Sequence, residues 1–296
     1  MAGNVPAPHL PRPPQLSDVY LKAKVAEALA EDLGPEDLDL TTLAVVDPRL
    51  WARAEIRAGK AGVLAGSLPA QEVFRQVDPE ISFELERTEG CSLEAGDRVA
   101  QVSGRLGRLL GAERTALNFL QQLSGVATLT RRYVEAAATG GRAVILDTRK
   151  SAPGLRALQR HAVLAGGGQN HRYNLAQAIL IKDNHVVAAG GVAAAIARAR
   201  SSGHPVEVEV DDLGQLEEAL EARADAILLD NMAPEQVVRA VALSAGRAVL
   251  EVSGGVTLDS VGAYAATGVD RISIGALTHS APALDLSMEV VETWRV

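Results

Sequence analysis

The sequence predicts an α/β protein in which a small mixed unit precedes an incomplete or distorted parallel barrel. Three observations carry that prediction. Short apolar runs recur at "AVILD" (143–147), "AILIK" (178–182), "VEVEV" (206–210), "AILLD" (226–230), "AVLEV" (248–252) and "RISIG" (271–275). Amphipathic stretches such as "GVAAAIARARS", "LGQLEEALEAR" and "APEQVVRAVALSA" separate them, so strand and helix alternate as in right-handed βαβ units on a parallel sheet. Only six such strands are clear, short of the eight that close a full barrel.

The remaining elements follow in order. "MAGNVPAPHLPRPPQL" is Pro-rich and lacks an apolar stretch, which reads as a loose arm and not a signal peptide. "DVYLKAKVAEALAEDLG" (18–34) has helical spacing and ends on a glycine. Between 51 and 108, "ARAEIRAGKAGVLAG" and "GDRVAQVSG" read as strands set apart by glycine turns, with a helix near 68–76. "GAERTALNFLQQLSGVATLTRRYVEAAATG" (111–140) predicts one or two helices, interrupted near Gly125.

Composition excludes several classes. The 296 residues suffice for about two domains, and the formal net charge of −8 argues against a general nucleic-acid binder. Cys91 is the only cysteine, so no intrachain disulfide forms. No run approaches the ~18 apolar residues of a membrane span. A soluble, cytoplasmic protein is expected, with neither nucleic acid nor membrane as partner.

In parallel α/β folds the chemistry sits where strands end. The first barrel strand delivers Asp147, Thr148, Arg149, Lys150 and Ser151, and the second Lys182, Asp183, Asn184 and His185. The third carries Glu209, the fourth Asp230 and Asn231. The fifth opens into Ser253, Gly254 and Gly255, and the sixth into Gly275 and Ala276. Charges at one strand end are commonplace; convergence from successive strands implies a central, strongly positive cavity. Arg114, Arg149, Lys150, His171, Arg172 and Lys182 are its expected cations, suited to a multiply anionic ligand. The turns "SGG" and "IGAL" suit a phosphate, which backbone N–H groups can approach closely at glycine. Glu209 and Asp230 are placed to hold Mg²⁺, directly or through water, or to stabilise a developing positive charge. Glu207 is expected outside the cavity, with only one of the two glutamates of its strand facing inward unless the strand is irregular.

The motifs "AERTALNFLQQLSGVATLTRRYV", "DTRKSAPGLRAL", "AGGGQNHRYNL", "LIKDNH", "VEVEV", "LLDN", "SGGV" and "IGALTHS" resemble, in order, those of quinolinate phosphoribosyltransferases. The resemblance runs from about residue 21 to the end. It implies an N-terminal α/β sandwich domain (17–117, with 280–296 packing back) and an incomplete, six- to seven-stranded α/β barrel (118–279) behind a disordered arm (1–16). It implies a glycosyltransferase of NAD biosynthesis that turns quinolinate and phosphoribosyl pyrophosphate, with Mg²⁺, into nicotinate mononucleotide, pyrophosphate and CO₂. Thr148, Arg149, His171, Arg172 and Lys182 resemble the family's quinolinate ligands, and Arg114 the arginine that reaches in from a neighbouring subunit of a homodimer or hexamer of dimers. Lys150, Glu209, Asp230, Ser253, Gly254, Gly255, Ile274, Gly275, Ala276 and His279 resemble its phosphoribosyl pyrophosphate site. Among these, Lys150, Lys182, Glu209 and Asp230 are the expected catalytic residues.

The chain departs from the family pattern at Ser151, usually Thr, at Gln177, usually an acid, and at Val252, usually a smaller residue; "PEDLDLTT" is also longer than the usual turn. Rival readings are a Schiff-base lyase with Lys182 as nucleophile, a non-catalytic binder of a phosphorylated metabolite, and a phosphoribosyltransferase for nicotinate. The number of cations favours the dianionic quinolinate over nicotinate.

Overall fold

The computed structural model describes residues 15–36 and 38–296; the predicted arm lies outside them except for its last two residues. The elements in chain order are α1 (Asp18–Leu33), α2 (Leu40–Val45), β1 (Leu50–Ala58), β2 (Gly62–Val63), α3 (Ser67–Val77), β3 (Ser82–Leu85), β4 (Ser92–Leu93), β5 (Arg98–Arg105) and α4 (Leu106–Ala138). There follow β6 (Val144–Leu146), α5 (Arg156–Ala165), β7 (Ile179–Ile181), α6 (Asp183–Ala189), α7 (Val192–Arg200), β8 (Val206–Val210), α8 (Leu213–Glu221), β9 (Ala226–Asp230), α9 (Pro234–Ser244), β10 (Val249–Ser253), α10 (Leu258–Ala266), β11 (Arg271–Ser273), α11 (Ala276–His279) and β12 (Leu286–Arg295). They fall into two compact units: one of residues up to 129 with 152–167 and 280–296, the other of 130–151 and 168–279.

In the first unit a four-stranded antiparallel sheet runs β12–β1–β5–β3. Along β1, Ala52, Ala54, Ile56 and Ala58 alternate into the core, the period of two that a half-buried strand requires. Helix α1 starts where the Ser17 hydroxyl accepts the Tyr20 amide (3.2 Å) and ends at Gly34, whose φ of 71° suits glycine. It buries Leu21, Val25 and Leu29 at a spacing of four. Within "PEDLDLTT", Asp39 caps α2 by accepting the Thr42 amide (3.0 Å) and hydroxyl (2.5 Å). The Thr42 hydroxyl and then its amide hold that carboxyl below its ordinary range.

The expected break near Gly125 does not occur, because α4 is continuous across it. A side-chain carbon at Gly125 would stand 2.1 Å from the Pro282 carbonyl oxygen. Glycine is there for close approach to the chain end, at a helix-propensity cost of about 1 kcal/mol.

In the second unit six parallel strands run β6–β11–β10–β9–β8–β7. Consecutive strands β7 to β11 are neighbours and β6 returns beside β11, which is the order of a barrel opened between its first two strands. There the segment around Gln169 lies parallel to β6, with a bridge to Leu146 and the Gln169 amide donating to the Ile145 carbonyl (2.9 Å). The barrel is thus incomplete, with six full strands. Buried Val206, Val208, Val210, Ile227, Leu229, Leu250 and Val252 occupy one parity of their strands. The alternate positions face the other way, and there the polar groups gather.

Candidate active site

One cavity of about 810 Å³ lies at the carboxyl ends of the second unit's strands. It is lined from alternate positions: Leu180 and Lys182 from β7 and its exit, Leu228 and Asp230 from β9, Glu251 and Ser253 from β10, Ser273 and Gly275 from β11 and its exit. Thr148, Arg149, Lys150, His171, Arg172, Glu209, Gly254, Gly255, Ile274, Ala276 and His279 also line it, and these, with Lys182, Asp230, Ser253 and Gly275, are the residues foreseen from sequence. Arg114 is the exception: it lies on α4 in the first unit, whereas all lining residues belong to the second.

The cavity is less positive than expected. Arg149, Lys150, Arg172, Lys182 and the His171 ring line it together with Glu209, Asp230 and Glu251, so three acids offset part of the positive charge. What distinguishes it is how the charges are sorted. The Lys182 ammonium is ion-paired with the Glu209 carboxylate. Arg172 is pulled below its ordinary pKa, first by burial and then by the charge of Arg149, with Glu207 opposing. Two guanidiniums crowded in this way gain from an anion between them.

The loop before β7 sets Arg172. Asp147 accepts the His171 amide (2.8 Å) and the Asn170 side-chain amide (2.7 Å), while the Arg172 guanidinium donates to the Ala178 carbonyl (2.9 Å). Gln177 accepts the Tyr173 amide, a role the family's usual acid would also fill. At the strand exit, Lys182 donates its amide to His185 Nδ1 (2.9 Å) and Asp183 accepts the Asn184 amide (2.7 Å). The run "KDNH" therefore starts helix α6, which the sequence did not suggest, and leaves the Lys182 side chain for the cavity.

The His171 ring stands between two buried acids, its Nε2 3.2 Å from Glu207 and 3.4 Å from Glu251. Burial works against its positive charge, but the bonds to Glu207 and then Glu251 outweigh it and push the imidazole up to about 10. The Arg172 amide meets Nδ1 at 2.7 Å, a contact that belongs to the neutral ring. Two charge-assisted bonds of about 1.5–3 kcal/mol each exceed one amide bond of about 0.5–1.5 kcal/mol, so the direction stays upward.

The ends of β9, β10 and β11 build the opposite side mainly from backbone. Asn231 adopts φ 52° and donates its side-chain amide to the Asp230 carboxylate (2.7 Å). Gly254, at φ 92°, leaves room for it: an added side-chain carbon would meet the Asn231 side-chain oxygen at 2.2 Å. A carbon added at Gly275 would come within 3.0 Å of the Lys150 chain and 3.1 Å of His279. Thr278 ties these elements together by donating its hydroxyl to the Lys150 carbonyl (2.6 Å).

Two acids add to the sequence reading. Glu207 lies outside the cavity lining as expected, but not by facing away: residues two apart on a regular strand share a face, and it reaches His171 below Glu209. Glu251 was not foreseen at all; a single glutamate inside the apolar run "AVLEV", in phase with Ser253, was the available signal. It is fully buried and accepts the Ser273 hydroxyl (2.5 Å).

A cavity with crowded arginines on one side and glycine turns with acids on the other, at the mouth of a parallel sheet, points to a transferase that handles phosphate and an organic acid. Comparison with known proteins makes the class specific. Residues 39–124 match the N-terminal domain of quinolinate phosphoribosyl transferase and 126–289 its C-terminal domain. The chain belongs to that family. It is 40% identical over 278 residues to the probable nicotinate-nucleotide pyrophosphorylase [carboxylating] of Bacillus subtilis, covering 93% of this chain and 95% of that one. It is 41% identical to the nicotinate-nucleotide pyrophosphorylase [carboxylating] of Mycobacterium leprae, covering 90% and 95%. The solved structure of the nicotinate-nucleotide pyrophosphorylase from Francisella tularensis superposes with a TM-score of 0.89 at 39% identity, over 93% of this chain and 97% of that one.

Proposed function

We propose that this cavity binds quinolinate on its arginine side and phosphoribosyl pyrophosphate on its glycine side, and joins them. The chain is a quinolinate phosphoribosyltransferase, a carboxylating nicotinate-nucleotide pyrophosphorylase that forms nicotinate mononucleotide in NAD biosynthesis. The observation that carries the division of the site is the cavity lining, which brings Arg149, Arg172 and Lys182 together with the glycine turns at Gly254, Gly255 and Gly275. Arg149, Arg172 and Lys182, beside Thr148, would take the two carboxylates of the pyridine acid. Lys150, Ser253, Gly254, Gly255, Ile274, Gly275, Ala276 and His279 would hold the phosphates, with Glu209 and Asp230 on the ribose.

In this arrangement the pyridine nitrogen forms its bond to the anomeric carbon while the bond from that carbon to pyrophosphate breaks. Glu209 and Asp230 offset the positive charge that grows on the sugar, and Lys150 and His279 the negative charge on the departing group. The product pyridinium then accepts the electron pair of the adjacent carbon–carboxylate bond. CO₂ leaves, and a proton from solvent takes its place on the ring. The enzyme forms no covalent intermediate.

The oxygen donors of Glu209 and Asp230 suit Mg²⁺, which commonly binds through one or two carboxylates and substrate phosphates. When bound there it would neutralise charge on the pyrophosphate. Because Glu209 is paired with Lys182, quinolinate arriving at Lys182 would leave Glu209 available to the sugar side. A homodimer, or a hexamer of dimers, would bring Arg114 from a neighbouring copy. Among the described residues no helix is long and apolar enough to cross a membrane.

The Schiff-base reading finds little support, since Lys182 is about half exposed and ion-paired rather than enclosed by apolar groups. The direct experiment is to incubate the protein with Mg²⁺, phosphoribosyl pyrophosphate and either pyridine acid. Mononucleotide and CO₂ are expected from quinolinate and little product from nicotinate; equal turnover of nicotinate would overturn the dianion site.

A further inference from the structure

Glu207 and Glu251 need a reason to exist. A carboxylate in a barrel interior loses hydration worth several kcal/mol and persists only where partners replace it. Glu251 is fully buried and Glu207 nearly so. They arrive from β8 and β10, with β9 between them, and both reach the same ring nitrogen of His171. Glu251 is steadied in turn by Ser273 of β11 (2.5 Å). Among the described residues, one oxygen of each acid, Oε1 of Glu207 and Oε2 of Glu251, is buried without a hydrogen-bond partner, so neither is placed for its own solvation.

The far side of the ring is engaged as well. Its Nδ1 edge packs against the main chain of Arg172, the next residue, and the His171 main chain donates to Asp147 just after β6. Both ring nitrogens therefore face protein atoms, and the segment carrying Arg172 is fixed to the barrel at β6, β8 and β10. A ring placed this way serves as a strut for its neighbour more readily than as a donor to a ligand.

We propose that Glu207 and Glu251 are positioning residues that clamp His171 from two strands and thereby hold Arg172 in place for the pyridine acid. The inference rests on the proposed role of Arg172 in binding quinolinate and adds the pair of acids behind it. His171 then contributes to quinolinate recognition chiefly through Arg172. The polar groups bearing on the clamp are Glu207 from β8, Glu251 from β10, Ser273 from β11, Asp147 after β6, and Arg149 and Arg172 on the cavity side.

Steady-state kinetics of Glu207→Gln, Glu251→Gln and Arg172→Ala, alone and combined, test this. Either glutamine variant is expected to raise the quinolinate KM about tenfold, the loss of one charge-assisted bond. The KM for phosphoribosyl pyrophosphate and kcat should change by less than about threefold. In the Arg172→Ala background the same substitutions should have little further effect, because their action passes through Arg172. Thermal unfolding of each variant identifies one that fails to fold, and the other glutamate variant then carries the test. If both glutamine variants keep the wild-type quinolinate KM, or if their effects add fully to that of Arg172→Ala, the clamp is refuted. If Arg172→Ala itself leaves the quinolinate KM unchanged, the proposed acid site fails instead.

Discussion

The two sides of the cavity are built by opposite means. On the side of β6 and β7, specificity rests on long charged side chains: Arg149, Arg172, whose guanidinium donates to the Ala178 carbonyl, and Lys182, ion-paired with Glu209. On the side of β9 to β11, it rests on backbone shape, with Gly254 in a left-handed turn and Gly275 leaving room for Lys150 and His279. The contrast follows from the ligands each side would meet. A rigid, planar dianion is read by fixed forks of donors, whereas a flexible phosphate chain is read by close-set amides. The first side should be sensitive to loss of charge, the second to gain of volume.

That contrast can be broken in several ways. The largest effect is expected at the boundary between the sides. Glu209→Gln removes a carboxylate proposed to face the developing cation, and kcat should fall about 10²–10³-fold, as single-turnover kinetics would measure. A fall below about threefold would move Glu209 out of the reacting centre. Next is Gly254→Ala, which adds a side chain at φ 92° against the Asn231 side chain 2.2 Å away. Its cost should be about 1–3 kcal/mol, read as a lower Tm, with the KM for phosphoribosyl pyrophosphate rising more than that for quinolinate.

The smallest effect concerns pH. With burial overcome by Glu207 and Glu251, the His171 value of about 10 lies above the ordinary 6.5. The ion-paired clamp is therefore fully present below about pH 6.5 and is lost as pH rises through about 10. The wild-type quinolinate KM should show no histidine titration between about pH 6 and 9, and Glu251→Gln should bring one into that window. A wild-type titration near pH 6.5 in the same profile would show that the two acids do not govern the ring.

The parallel half of the fold was legible because its strands are short runs rich in Val, Ile and Leu and its helices amphipathic, so the change of period marks each boundary. Most of the cavity followed from the rule that strand ends carry the chemistry. What escaped has physical causes. Glu251 hides within an apolar strand, where one charge does not disturb the pattern, and its meaning appears only when β8, β10 and the His171 loop are adjacent. Glu207 is in phase with Glu209, and the strand period places both inward. The uninterrupted α4 depends on packing at Gly125 that no local pattern reveals. Helix α6 is started by His185 and Asp183, residues whose place beside Lys182 suggested the cavity instead. For Arg114, the family resemblance is what ties it to quinolinate.

The central claim, that one cavity holds the pyridine acid and the sugar phosphate on separable sides, is tested most directly by calorimetric titration of quinolinate into Lys182→Ala and Asp230→Asn. The account predicts that Lys182→Ala weakens quinolinate binding about 10-fold or more, from loss of a charge-assisted contact, while Asp230→Asn stays within about threefold of the wild-type Kd. Unchanged affinity in Lys182→Ala, or equal losses in both variants, would contradict it.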